Sequence, residues 1–372
     1  MQVSVLNPSV SPGQPGVLRR MLRSELLRPF NDPQGLDALL GAVNPTWSVR
    51  QIRARVVAVI AETADTRTFV LRPNRHWRGF RAGQHVAVEV EIDGVRHHRC
   101  YSLSSAPQRT GLISLTVKRQ PASRVASWLH EHGKPGLVLA LSAAAGQFGL
   151  PESTPARLLL ISAGSGITPV MSVLRDLHQR GYTGHIVFLH TCRTEQDLIF
   201  GAELNALARE WPSLSLRIHH SAVAGRLDAT ELARRVPDAL ERTTLLCGPS
   251  PFMEWVRALY AAGDASARLH CEDFRGRVLP RTRNAGDPPL EIRCVQTERS
   301  FTAAGAQALL VEAEAAGLTP RHGCRMGICR TCQCRKRSGS VENLLTGQIC
   351  SEPDQLIQLC ISAARSDLEL VL

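Results

Sequence analysis

Four cysteines near the carboxyl-terminal end of the sequence restrict this chain more than any other feature. Cys324, Cys329 and Cys332 follow the pattern C-x4-C-x2-C, and Cys360 follows much later. Three thiolates on one short loop and a fourth from elsewhere in the fold is the spacing with which four cysteines hold a [2Fe-2S] cluster. Such a loop must bend sharply, and Gly323 and Gly327 supply that freedom. A structural zinc site is the competing reading of a cysteine quartet, but zinc pairs usually read C-x2-C twice or include histidines.

The rest of the composition is that of a globular protein. At 372 residues the chain exceeds one ordinary core, and about 150 residues per domain points to two or three domains. Apolar residues make up 44% and charged residues 21%. No apolar run approaches the ~20 residues of a membrane helix; the best, Gly136 to Gly146, is interrupted by Ser and Gly. Met1 to Gly16 lacks a charged start followed by an apolar stretch, so no secretory signal is expected. Eleven cysteines, four of them assigned to a cluster and the others scattered, fit a reducing cytoplasm better than a disulfide scaffold. The net charge of +11 raises nucleic-acid binding as a reading. The arginines, however, are dispersed without interleaved aromatics, apart from the short run Arg335-Lys336-Arg337. That distribution suits steering toward an acidic partner or an anionic membrane surface better than it suits nucleic acid.

In chain order, residues 1–49 form an extension with a possible helix from Val17 to Leu27, whose Leu18, Leu22 and Leu26 read as a docking face. From Ile52 the pattern becomes strands: Arg55 to Ile60, Thr68 to Arg72, His85 to Ile92, His98 to Leu103 and Ile113 to Arg119, with Asp93-Gly94 as a hairpin turn. Short strands with such a turn predict a small antiparallel barrel over 50–152. Within Arg99-Cys100-Tyr101-Ser102-Leu103, strand alternation puts Arg99 and Tyr101 on one face. A guanidinium and a flat ring there suit a pyrophosphate and an aromatic ring system. A helix begins at Arg124, and its free amides suit phosphate.

Between 153 and 275 strand and helix alternate. Arg157 to Ser162 is an apolar strand, Ala163-Gly164-Ser165-Gly166 a tight turn, and Thr168-Pro169 opens a helix. A strand, a glycine turn and a helix amino terminus make a phosphate cradle, although the third glycine of the dinucleotide fingerprint is missing. Later comes Cys247-Gly248-Pro249-Ser250-Pro251-Phe252, where Cys247 by itself reads as a small buried strand residue.

Taken together, Arg81-Ala82-Gly83-Gln84-His85-Val86, R-x-Y-S at Arg99, G-x-G-I-T-P at Gly164 and C-G-P-S-P-F at Cys247 resemble the ferredoxin-NADP reductase superfamily. The resemblance implies a multidomain fold: an antiparallel flavin-binding β-barrel, a Rossmann-like nicotinamide domain and a C-terminal β-grasp ferredoxin domain over 290–372, after a linker at 276–289. It implies that Arg99 holds the pyrophosphate of FAD, that Tyr101 packs on its ring and that Ser102 lies near its N5. Leu103, Val117 and Lys118 belong to the same flavin block. Gly164, Gly166, Thr168, Cys247 and Gly248 seat the nicotinamide, and Glu272 and Phe274 stand at the flavin edge. Relatives carry a phosphate-binding serine where this chain has Ala126, so the amides of Val125, Ala126 and Ser127, with the Ser127 hydroxyl, are expected to substitute. Arg193 and Arg226 are the candidates for a 2'-phosphate, which favours NADPH over NADH.

The implied path is NADPH, FAD, cluster, external acceptor. Asn44-Pro45-Thr46-Trp47-Ser48 and Cys324-Arg325-Met326-Gly327-Ile328-Cys329 look like the subgroup serving membrane fatty-acid desaturases and hydroxylases; a ring-hydroxylating oxygenase or a cytochrome P450 is the alternative acceptor. A redox sensor with a vestigial flavin site is the reading from another class. Acidic and basic residues balance over 290–372, yet Arg321, Arg325, Arg330, Arg335, Lys336 and Arg337 crowd the cluster loop, which predicts an acceptor with an acidic docking face.

Overall fold

The computed structural model describes residues 33–107, 111–120, 123–274, 288–323, 325, 327 and 330–372. The expected helix Val17–Leu27, and most of the expected linker, lie outside the described residues, as do Cys324 and Cys329.

The chain first forms a helix, α1 (Pro33–Val43), and then six strands: β1 (Ile52–Thr63), β2 (Thr66–Pro73), β3 (His85–Ile92), β4 (Val95–Ser102), β5 (Ile113–Lys118) and β6 (Val138–Leu141). They pair in the order β4-β3-β6-β1-β2-β5, antiparallel throughout. Alternation sends Val86, Val88 and Val90 of β3 and Leu115 and Val117 of β5 into one core with Phe69 and Leu71. The short strand β6 was not expected. It lies within the apolar run noted above and is held by pairing with both β1 and β3, a long-range gain that four residues do not advertise locally.

The second sheet is parallel: β7 (Arg157–Ala163), β8 (His185–Cys192), β9 (Leu214–His220), β10 (Thr243–Cys247) and β11 (Leu269–Glu272), in the order β11-β10-β7-β8-β9. Its strands are near-continuous apolar runs because both faces are covered. Leu158 and Leu160 face one core, Leu159 and Ile161 the other. The order reverses beside β7, so the carboxyl ends of β7 and β10 frame the crevice where such sheets take ligands.

The third unit combines β12 (Leu290–Cys294), β13 (Arg299–Ala303), β14 (Gln333–Ser338), β17 (Gln355–Gln358) and β19 (Leu368–Val371) in the order β13-β12-β19-β14-β17. A small sheet of β15 (Val341–Asn343), β16 (Ile349–Cys350) and β18 (Ser362–Ala364) lies beside it in sequence. The helix of this unit is Leu309–Ala315, and it follows Gly305, which adopts φ +64°, a left-handed conformation that suits a turn. β17 stops at Gln358, and Leu359–Ile361 turn into a single 3-10 turn that carries Cys360 inward. Among the described residues no helix is long and apolar enough to cross a membrane.

Candidate functional site

The barrel and the parallel sheet meet along a cleft fixed by polar contacts. Ser172, on α3 (Ile167–Gln179), donates its hydroxyl to the Ser105 carbonyl at 2.7 Å and accepts from the Gly83 amide at 3.3 Å. Arg175, one turn further on, donates to the Ser104 carbonyl, pairs with Glu203 and lies over the Phe200 ring at 4.6 Å. Gly83 is required here: at φ +92° a Cβ would sit 2.6 Å from the Phe148 carbonyl oxygen. None of Ser172, Arg175 or Phe200 was singled out as a domain clamp, since the pairing is visible only once both units are folded.

On the barrel side, Arg99, Tyr101 and Ser102 line one pocket with Thr116, Lys118, Ser123, Ala126, Thr168 and Phe274. Burial pushes the Tyr101 phenol well above its ordinary value, against the opposing effect of Arg99. Its hydroxyl is buried with no hydrogen-bond partner in the protein. A buried phenol needs such a partner, so an aromatic group with polar substituents fits this pocket. Arg99 is exposed beside it. Lys118 is held by Asp65 at 3.1 Å.

Leu103, Val117, Val125 and Ala126 point into the barrel core, so only their backbones are available to a cofactor. Of the expected amide set, Val125 stays available, whereas Ala126 and Ser127 are taken within the helix cap. Ser123 caps α2 (Arg124–His132), its hydroxyl accepts from the Ala126 amide at 3.4 Å, and its carbonyl accepts from Ser127 at 3.0 Å. The amides left without an intrahelical partner by helix geometry are therefore those of Arg124 and Val125.

On the other side, Gly164 (φ +54°) to Gly166 make a 3-10 turn between β7 and α3. A Cβ on Gly166 would stand 2.3 Å from the Cys247 carbonyl oxygen. The second glycine of G-x-G thus lets the two nicotinamide motifs touch. Gly248 is similarly close-packed against Phe252 and Ala163. Thr168 donates its hydroxyl to the Ser165 carbonyl at 3.1 Å, which fixes the turn.

Cys247 ends β10 and is in parallel register with Ser162 of β7 and Glu272 of β11. Burial, reinforced by the Glu272 charge, raises its thiol well above the ordinary cysteine value, so it stays a neutral thiol. Glu272 reaches across the cleft. Its Oε2 accepts from the Ser102 hydroxyl at 3.3 Å, and its Oε1 lies 3.2 Å from His85 Nδ1. Phe274 lines the pockets on both sides of this contact. The motifs of Ser102, Glu272 and Cys247 led to the expectation that they serve one site. A fourth residue, His85, was noted only as part of a strand motif; it pairs with Ser102 across β3 and β4, which places it beside Ser102. Arg193 and Arg226 lie apart from this centre, beyond the carboxyl ends of β8 and β9. Both are exposed, and neither has an ion pair among the described residues. Asp197, a possible competitor for Arg193, instead accepts from the Thr194 amide and hydroxyl in a capping box.

In the third unit, Cys332 and Cys360 are both buried, and the Leu359 amide donates to the Cys332 carbonyl at 3.1 Å, bringing the two cysteine segments side by side. Gln358 donates to the Gly327 carbonyl at 2.7 Å, tying β17 to the loop. Gly327 (φ +77°) is packed so that a Cβ would lie 2.7 Å from Ile361. Arg325 and Arg330 also take left-handed φ of 57°, in keeping with a tightly wrapped loop. Two buried cysteines on adjoining segments fit a cluster that Cys332 and Cys360 would help to ligate. Cys334 packs in the same core, where burial and then Cys332 push its thiol up to about 12.

Comparison with known proteins agrees with this construction. Three family models match in order: an oxidoreductase FAD-binding domain at 53–149, an oxidoreductase NAD-binding domain at 160–258 and a 2Fe-2S iron-sulfur cluster binding domain at 293–365. A NADPH oxidoreductase of Mycobacterium tuberculosis is 37% identical over 338 residues, covering 90% of this chain and 88% of its own length. The glycine betaine monooxygenase reductase subunit of Pseudomonas aeruginosa is 34% identical, covering 87% and 96%. The structure of phthalate dioxygenase reductase superposes with a TM-score of 0.56 at 23% identity, over 87% of this chain and 98% of that one, and bears on the fold. The protein is an oxidoreductase whose cofactors are FAD, a nicotinamide and a [2Fe-2S] cluster. When bound, the flavin takes electrons as a hydride from the nicotinamide and passes them singly to the cluster. By the order of its domains and its identity to such relatives over most of its length, the chain belongs to the ferredoxin-NADP reductase superfamily, among the reductases that join FAD, nicotinamide and [2Fe-2S] ferredoxin domains in one polypeptide.

Proposed function

We propose that this chain is the reductase component of an oxygenase system, drawing electrons from NADPH and delivering them to a membrane fatty-acid desaturase or hydroxylase. The observation that carries the reductase reading is the contact of Ser102 with Glu272 across the cleft, in register with Cys247. In this reading Arg99 and the amides of Arg124 and Val125 bind pyrophosphate, Tyr101 covers the flavin ring, and Ser102 and Glu272 hold a proton at N5. Cys247 and Thr168 seat the nicotinamide, and Cys324, Cys329, Cys332 and Cys360 ligate the cluster. The motif resemblance at Asn44 and Cys324 favours the desaturase branch. A second reading, an oxygenase of the ring-hydroxylating kind, is favoured by relatives named for glycine betaine monooxygenase and 3-ketosteroid-9-alpha-monooxygenase. Reconstitution separates them: oxygen uptake and product formation that require both this protein and NADPH, with membranes bearing a desaturase or with a purified soluble oxygenase, identify the acceptor.

Arg193 and Arg226, unpaired and exposed, suit a 2'-phosphate. Arg226→Ala and Arg193→Ala should each raise the KM for NADPH about tenfold, the loss of one charge-assisted hydrogen bond, with the KM for NADH little changed. Equal effects on both nucleotides would remove the arginines from specificity.

The acceptor-facing surface is narrower than the run of basic residues predicts. Lys336 is 0% exposed, and its Nζ donates at 2.6 Å to the carbonyls of Gly339 and Glu352. Alternation along β14 turns Lys336 inward with Cys334, a fact that charge counting alone cannot see. Arg325 forms a two-pronged ion pair with Glu314. Arg330, Arg335 and Arg337 stay exposed, and Leu356, 58% exposed, lies opposite Arg335 across β14 and β17. An acidic acceptor face with an apolar centre suits this group. Arg330→Glu with Arg335→Glu should cut acceptor turnover roughly tenfold or more at low salt, with flavin reduction by NADPH unchanged. Unaltered turnover at low salt would refute the docking assignment.

A further inference from the structure

We propose that the face made by α1, the turn that follows it and the adjoining edge of the barrel docks directly on an anionic lipid surface. Three apolar side chains project there: Leu39 at 47% exposure, Val43 at 75% and Trp47 at 50%. Leu39 and Val43 are one helical turn apart on α1. Trp47 follows in a turn closed by its amide on the Asn44 carbonyl at 2.8 Å. The turn is rigidly seated. Arg53 donates to the carbonyls of Pro45 and Trp47, both at 3.2 Å, and Asn74 donates to those of Thr46 and Gln51, both at 3.0 Å.

The same contacts place a basic field around the apolar residues. Asn74, seated on the Thr46 carbonyl, brings its neighbours Arg72 and Arg75 to this face beside Arg50; all three are exposed, and none has an ion pair among the described residues. The one acid of α1, Asp37, is spent on the Ser48 hydroxyl at 3.0 Å and the Val49 amide at 2.6 Å. Arg55 and Arg72 stand directly opposite one another across β1 and β2. Like charges at such a position repel; Arg55 donates to Asn44 Oδ1 at 3.1 Å, and no acid among the described residues forms an ion pair with either arginine. An external anionic surface would offset that repulsion.

The occupant argued for is lipid. Single projecting aliphatic side chains and a tryptophan, ringed by arginines with long apolar stems, match the headgroup boundary of a bilayer. By sequence, residues 1–32 are themselves basic, with Arg19, Arg20, Arg23 and Arg28 against Glu25 and Asp32. The inference does not need the desaturase reading, although a membrane-bound acceptor would gain from a reductase held at its surface.

The test is cosedimentation of the full holoprotein with phosphatidylcholine vesicles with and without phosphatidylglycerol. Binding to the anionic vesicles, weakened by salt, and little to the neutral ones is expected. Arg72→Glu with Arg75→Glu should weaken it roughly twentyfold or more, at about fivefold for each basic residue removed. Val43→Asp and Trp47→Ser should weaken it as well. NADPH-dependent ferricyanide reduction should be unchanged in all of them, which verifies folding. Absence of binding to either vesicle, or equal binding to both, overturns the proposal. So does a dimer in gel filtration that Trp47→Ser dissociates, or an acceptor coupling that falls with Arg72→Glu while vesicles bind nothing; these would assign the face to a second copy or to a protein partner.

Discussion

Cys360→Ser should remove the iron-sulfur chromophore and lower cluster-dependent reduction of cytochrome c by more than about a hundredfold, while NADPH still reduces the flavin. The expectation rests on position. Cys360 sits in the 3-10 turn that ends β17, on a segment tied to that of Cys332 by the bond from Leu359. Even residues that only support metal ligands cost 10- to 100-fold when lost, and a thiolate ligand should cost more. Because cluster binding and folding are coupled, the ferredoxin unit should also melt at lower temperature. Cys334→Ser is the control: the C-x4-C-x2-C spacing leaves Cys334 out of the ligand set, so the variant should keep its iron and its spectrum. Iron analysis giving the opposite pattern, retained in Cys360→Ser and lost in Cys334→Ser, would reassign the fourth ligand.

Glu272→Ala should slow flavin reduction at saturating NADPH about 100-fold, the lower range for loss of a positioned proton-transfer group. Flavin content should remain that of the wild type, because Arg99, Tyr101 and the amides of α2 are untouched. Ser102→Ala should fall by a similar factor. The sharper expectation concerns the double variant. Ser102 and Glu272 are joined directly at 3.3 Å, so removing both should cost little more than removing either. Stopped-flow traces showing that the two losses multiply would mean that the residues act separately and that their contact is incidental. His85→Ala, which takes away the other neighbour of the Glu272 carboxylate, should give a smaller loss, since Ser102 would still hold Glu272.

Much of this architecture was legible beforehand, for identifiable reasons. His85–Ile92 was read with both ends correct because alternation, β-branched residues and the Asp93-Gly94 turn all agree there. The motif at Gly164 was readable because backbone contact demands glycine: Gly166 has no room for a Cβ against Cys247. Misreadings occurred where a side chain's direction or a helix cap decided the outcome. Lys336 looked like a surface charge and is a buried donor; Ala126 was expected to offer its amide and has it capped by Ser123.

The sequence by itself determined the three-part order, the cluster spacing and the candidate residues proposed for the flavin and nicotinamide, because each motif is local and is imposed by backbone geometry or metal coordination. Only the tertiary structure decided how those motifs meet. The Ser102–Glu272–His85 contact joins residues separated by 170 and 187 positions. The Ser172 and Arg175 clamps, and the unpaired arginines set around Trp47, are likewise relations between strands and helices that no local pattern encodes. Cys324, Cys329, Cys332 and Cys360 show the same division: their spacing names the cluster, whereas the 3-10 turn and the bond from Leu359 carry the Cys360 segment to that of Cys332, across a distance along the chain that only packing can close.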